Sequence, residues 1–191
     1  MYEKFGVFIN KRDRINNWNA SIKRMLSLSD AGVNFKKNKN LKDDDKIGMS
    51  RMYSGKNIFQ YNHRYSTYIN NVIEDVEVRK NYDPDYFIET EYYVPTEEVN
   101  HRIKDKSPFQ WLIGYRDVTN ATNERTTIAS ILPRVACDTN CRNIYSEIGT
   151  LKLCCLVGNL NSIVFDYFAR QKIIGLHLNA GTLEQLPMLH P

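Results

Sequence analysis

The sequence carries none of the motifs by which nucleotide-using and hydrolytic enzymes are usually recognised. It has no glycine-rich strand-to-helix turn for a dinucleotide or S-adenosylmethionine and no aromatic-flanked Pro-Pro. It has no Walker-type loop, HExxH or Gly-x-Ser-x-Gly either. The acidic groups Asp75, Glu77 with Arg79, and Asp85, Glu89, Glu91 have the composition of a metal-dependent nuclease site. Their spacing is unspecific, and the acid-x-lysine strand such sites use is missing. No catalytic residue and no cofactor or metal site is expected in this chain. The four cysteines, Cys137, Cys141, Cys154 and Cys155, lack metal-ligand spacing. They read as buried free thiols of a cytoplasmic protein. No apolar run is long enough for a signal peptide or a membrane span, so no membrane partner is expected. No repeat of 20–50 residues is visible either.

The 191 residues suit one large domain, with a hydrophobic fraction of 42% and charged residues at 25%. Aromatics are plentiful, and the net charge of +4 permits a polyanionic partner without demanding one. A short hydrophobic run, Phe5–Ile9, precedes a basic turn, Lys11–Arg14. Trp18, Ile22, Met25 and Leu26 then have the spacing of a helical face, with a short strand over 18–22 as the alternative; both bury these residues. Residues 34–46, NFKKNKNLKDDDK, read as a mobile charged loop. The alternation through Ile58, Gln60 and Asn62 predicts a strand with one polar face bearing Lys56, Gln60, His63 and Arg64 among tyrosines. Residues 70–109 are poorly periodic; 86–94 predict an aromatic strand, and Thr96 caps a helix through Ile103.

The chain is organised around Trp111 to Arg134. Two runs favourable to strands, 111–115 and 126–132, flank a polar segment, Arg116–Arg125. Its arginines, amides and hydroxyls suit base edges and phosphates equally well as a self-capping turn. After it, 135–148 read as a loop. Residues 151–172 predict one long helix, apolar nearly all round and therefore buried, with a polar stripe of Asn159, Ser162, Asp166 and Arg170.

Three stretches resemble consecutive motifs of one family: YSGKNIFQYNHRYSTY, WLIGYRDVTNATNERTTIASILPR and LVGNLNSIVFDYFARQKIIGLHLNAGTLEQLPMLHP. The family is the C-terminal target recognition domain of large bacterial N6-adenine DNA methyltransferases in restriction–modification and phage-defence systems, including fused type IIG enzymes. The resemblance covers residues 18–191. It implies a fragment of a larger enzyme whose separate methyltransferase domain holds S-adenosylmethionine. It also implies a fold similar to the target recognition domains of type I specificity subunits. The expected fold is α+β, a twisted, mainly antiparallel sheet with reading loops on a buried C-terminal helix, as a single domain over 1–191. The expected partners are double-stranded DNA and the methyltransferase domain of the parent chain.

In that expectation phosphates are held by Lys56, Arg64, Arg116, Arg125, Arg134, Arg170 and Lys172. The amides of Gln60, Asn120 and Asn123 are candidates for adenine edges, and His63 completes the DNA-binding set. Shared family motifs also serve as scaffold, so their arginines are expected to hold phosphates or buttress loops, and base readers are expected outside the motifs, in 30–50, 70–108 or 136–148. The alternatives are a protein-interaction module that docks a methylase or nuclease to a partner, and a metal-dependent nuclease.

Overall fold

The computed structural model describes residues 18–189; Phe5–Ile9, the Lys11–Arg14 turn, His190 and Pro191 lie outside them. In chain order the described strands are β1 (Ala20–Lys23), β2 (Lys36–Lys37), β3 (Met49–Tyr53), β4 (Ser66–Ile69), β5 (Val72–Asp75), β6 (Tyr92–Pro95), β7 (Trp111–Arg116), β8 (Ala129–Pro133), β9 (Ala136–Cys137) and β10 (Cys141–Ser146). The helices are α1 (Val78–Asn81), α2 (Thr96–Ile103), α3 (Thr150–Leu160), α4 (Ile163–Lys172) and α5 (Ala180–Leu183). The protein is mixed α and β with predominantly antiparallel sheets.

The central sheet has the order β1-β10-β7-β8, every pair antiparallel. A second sheet runs β2-β6-β3-β9, in which only β3 and β9 are parallel. Strand alternation divides the core in two. From the central sheet, Ile113, Tyr115, Ala129 and Ile144 face Leu153, Leu156, Leu160 and Phe165 of the C-terminal helices. Leu112, Leu132 and Tyr145 face the other way, towards Met52, Tyr53 and Val94 of the second sheet and Val99 and Ile103 of α2. Three layers result: helices, central sheet, second sheet with α2. A strand covered on both faces reads as a continuous apolar run, which is why Trp111–Tyr115 shows no alternation.

The β7–β8 hairpin forms as the sequence predicts, with Trp111 opposite Pro133 and Tyr115 opposite Ala129. Several other elements differ. The expected strand over 58–62 is a turn, with one bridge between Phe59 and Asn62 and Tyr61 at φ 61°. The predicted loop after Arg134 contains β9 and β10, so part of 136–148 lies in the centre of the sheet rather than in a reading loop. In that strand Asn143 is fully buried, with its Nδ2 donating to Cys137 Sγ at 3.3 Å. Residues 70–75 belong to a tight β4–β5 hairpin whose Asn70 and Asn71 both have positive φ, the geometry of a two-residue type I′ turn. Within 86–94 only Tyr92–Val94 is strand. Residues 34–46 carry β2 and two 3₁₀ turns, and are pinned at Glu89 by Asn38 Nδ2 (3.1 Å) and Lys46 Nζ (2.8 Å).

The long C-terminal helix is broken at Asn161 and Ser162, and its halves meet at 58°. Ser162 stops the first half and caps the second, its Oγ accepting from Phe165 N at 3.1 Å. The bend buries one face of each half only. Leu151 and Ile163 are 80% and 75% exposed, and Val164, Tyr167, Cys154 and Cys155 are exposed too, contrary to the expectation of a helix and thiols buried all round. Among the described residues no single helix is long and apolar enough to cross a membrane; the bent pair α3–α4 meets that test jointly.

Candidate functional site

Irregular segments carry backbone carbonyls that no ladder satisfies, and in this protein arginines satisfy them. Arg116, at the end of β7, donates through Nε to Gly55 O at 2.8 Å and through Nη2 to Ile58 O. Burial lowers its guanidinium below the ordinary arginine range. Arg64 donates to the carbonyls of Asn81, Asp83 and Tyr86, closing the segment behind α1. Arg134 takes Asn100 Oδ1 and Phe109 O. Arg125 and Gln60, far apart in sequence, meet on one acceptor, Asn161 O, at 2.8 and 3.1 Å. Asn161 itself pairs with β8 as a strand would: its Oδ1 accepts from Ala129 N and its Nδ2 donates to Ala129 O.

The 117–128 loop is held from α4. Asp166, 3% exposed, accepts from Thr126 N and Thr127 N through Oδ1 and pairs with Arg170 through Oδ2 at 2.9 Å. Arg170 then donates to Ala121 O and Glu124 O, inside the loop. Asn120 Oδ1 accepts from Thr122 N and Asn123 N, and Asn123 Nδ2 reaches Thr119 Oγ1. The polar stripe of the helix thus pre-forms the loop. His63 is half-buried; burial and then Arg64 lower its pKa, favouring the neutral ring.

The side chains of Lys56 and Lys172 are exposed and engage no partner among the described residues. Lys56 sits on a 3₁₀ turn, Gly55–Asn57, fixed by a capping box between Ser54 and Asn57. The turn lies hard against the 138–140 turn: a Cβ on Gly55 would be 2.5 Å from Asn140 O. Asp138 holds that turn by accepting from Asn140 N at 2.8 Å and Cys141 N at 3.0 Å. A cavity of about 240 Å³ opens here between Gly55, Lys56, Arg116, Val118 and Asn140.

Sequence reasoning missed the group beside it. Asp117 is 3% exposed and carries two partners: Arg142 Nε on Oδ1 at 2.7 Å and His177 Nδ1 on Oδ2 at 2.9 Å. The Arg142 Nη atoms and the exposed His177 Nε2 are not used among the described residues. Backbone bonds weld the three segments: Asp117 N to Asn140 O and Leu178 N to Asp117 O. The only sequence signal was opposite charge, and it required the β7–β10 register, Arg142 opposite Tyr115.

The structure therefore brings Lys56 and Arg116 together with Arg142 and His177 at one end of the central sheet, next to the locked loop bearing Asn120 and Asn123. Gln60 and Arg125 gather at the α3–α4 break, on Asn161, and Arg170 stands on α4. Arg64, His63 and Arg134 serve other parts of the surface. No protein-family model matches the chain, and no curated protein matches it. No group of three or more histidines, cysteines or carboxylates is placed to hold a metal ion among the described residues. Glu89, one of the carboxylates of the nuclease alternative, is engaged by Lys46, Asn38 and Tyr93 Oη.

Proposed function

We propose that this chain is the double-stranded DNA target recognition domain of a bacterial N6-adenine DNA methyltransferase of restriction–modification or phage-defence type. In this reading it is non-catalytic and cytoplasmic, similar in fold to type I specificity-subunit domains. S-adenosylmethionine and the adenine pocket belong to the methyltransferase domain of the parent chain. The observation that carries the reading is the end of the central sheet, where Lys56, Arg142 and His177 are available beside a pre-formed polar loop. Phosphates are positioned by Lys56, Arg142, His177 and Lys172. Arg64, Arg116, Arg125, Arg134 and Arg170 act chiefly by shaping loops. Bases are read by free amide edges of the 119–125 loop.

Binding to random-sequence duplex DNA at about 50 and 200 mM salt tests this. Affinity should fall steeply between the two. Lys56→Ala and Arg142→Ala should each weaken binding and flatten the logarithmic salt slope by about 1. Binding that ignores salt, or no binding by a folded sample, would overturn the reading.

A second surface favours docking alongside DNA reading. Leu151, Ile163, Val164 and Tyr167 expose large apolar area on α3 and α4. In a domain that works beside a catalytic partner, this face is where the methyltransferase domain would sit.

A further inference from the structure

The Lys56 turn has a second cavity on its other side, about 270 Å³, between the turn, the β4–β5 hairpin, β6 and the Asp138–Asn140 turn. We propose that this cavity binds one unpaired nucleobase carrying an exocyclic amino group, adenine or cytosine, with its phosphate outside at Lys56. The proposal rests on the DNA reading for the source of the base, a nucleotide lifted out of the duplex.

The size admits one heteroaromatic ring system, since it falls just below the roughly 300 Å³ at which clefts for larger ligands begin. The walls are flat and apolar where a base needs them: Tyr68, Tyr92, Met52 and Ile73 line the cavity. Aromatic rings take any base by stacking, so selectivity must come from the polar lining. That lining is rich in acceptors. Asn57 is spent as wall, its Oδ1 taking Ser54 N and its Nδ2 donating to Ser66 O. Asn140 turns its N and Nδ2 onto Asp138, which leaves the amide oxygen as its free group among the described residues. Asp138 is spent on its own turn, and Glu91 adds a carboxylate. Acceptors of this kind match the amino group of adenine or cytosine, whereas thymine presents a carbonyl there.

Lys56, itself exposed, lines the cavity, and Lys37 Nζ lies 5.4 Å from the centre of the Tyr92 ring. A base inside with its phosphate at Lys56 satisfies both halves of a nucleotide.

The test is titration of the isotope-labelled chain with dAMP, dCMP and dTMP, followed by nuclear magnetic resonance at Lys56, Tyr92 and Asn140. The same chain is then given duplexes with 2-aminopurine, paired or opposite an abasic site. dAMP and dCMP should shift these signals at millimolar concentration, with dTMP weaker by roughly tenfold or more. Leu28, half-exposed at the cavity, supplies the blocking variant: Leu28→Trp fills the space and removes no hydrogen bond. It should abolish the mononucleotide response and keep salt-dependent duplex binding. Tyr92→Leu should weaken the response by roughly tenfold. Duplex binding with no mononucleotide response, or a response that survives Leu28→Trp, would overturn the pocket alone. A mononucleotide response without duplex binding would overturn the duplex reading and leave the pocket standing.

Discussion

Asp166 is the residue on which the loop depends most. Its buried carboxylate satisfies two backbone N–H groups just before the return strand and orients Arg170, which in turn caps two loop carbonyls. Removing one member of a buried, hydrogen-bonded pair leaves the others desolvated and unpaired. Asp166→Ala should therefore cost about 3 kcal/mol in denaturant unfolding. Asp166→Asn, which keeps an acceptor for Thr126 and Thr127, should cost clearly less. Equal losses in the two variants would show that the backbone bonds contribute nothing. The i, i+4 pairing of Asp166 with Arg170 was legible in the sequence. The role of Asp166 as the acceptor for Thr126 and Thr127 was not, because those partners lie 40 and 39 residues away.

At the scale of elements, the central hairpin was legible because its flanks are β-branched and aromatic and its connection is polar. Strand β10 was hidden by Arg142 and Asn143. The strand carries these residues at its centre because one pairs with a buried acid and the other with a sulfur. Gly114 marks where β7 is approached most closely: a Cβ there would lie 2.6 Å from Leu132 Cδ1 and 3.0 Å from Cys141 Sγ. Gly114→Ala should destabilise by about 1–3 kcal/mol through overpacking. Gly149→Ala is the control, because an added Cβ meets nothing within 4 Å. Comparable midpoints for the two in thermal unfolding would refute the close-packing account. The helix break follows the same lesson. Composition over 151–172 favours continuous helix, but Asn161 gains more by pairing with the β8 backbone than by extending α3.

For the whole molecule, acid stability reflects titratable groups that folding partly buries. Burial and Arg64 lower His63 in the folded state, so its contribution is present above its ordinary value, ~6.5, and is lost as pH falls through the lowered one. Glu89 acts later on acidification. Burial raises its carboxyl, but Lys46 and Tyr93 outweigh this and leave it below its ordinary value. Asp138 works in the opposite sense, since burial raises it and acidification relieves its charge. His63→Gln should therefore flatten the fall in stability between about pH 7 and 5 and leave the later carboxylate phase. Parallel wild-type and variant curves through that window would exclude His63 as its source.

Composition and local pattern by themselves determined the class of protein: a mixed α and β domain, mildly basic, without catalytic motifs, built round a β7–β8 hairpin and a C-terminal helical region. These features follow from properties that repeat over a few neighbouring residues, such as β-branching, helical spacing and capping. Tertiary structure decided which polar groups are free. Arg64, Arg116, Arg125, Arg134 and Arg170 stand in the chain equally as phosphate anchors or loop buttresses, and loop carbonyls engage them once the layers assemble. Arg142 and His177, unremarked in the chain, are aimed outward by a shared buried aspartate. That division has one physical cause: a hydrogen-bonding side chain serves the nearest unsatisfied group, and only packing determines which group is nearest.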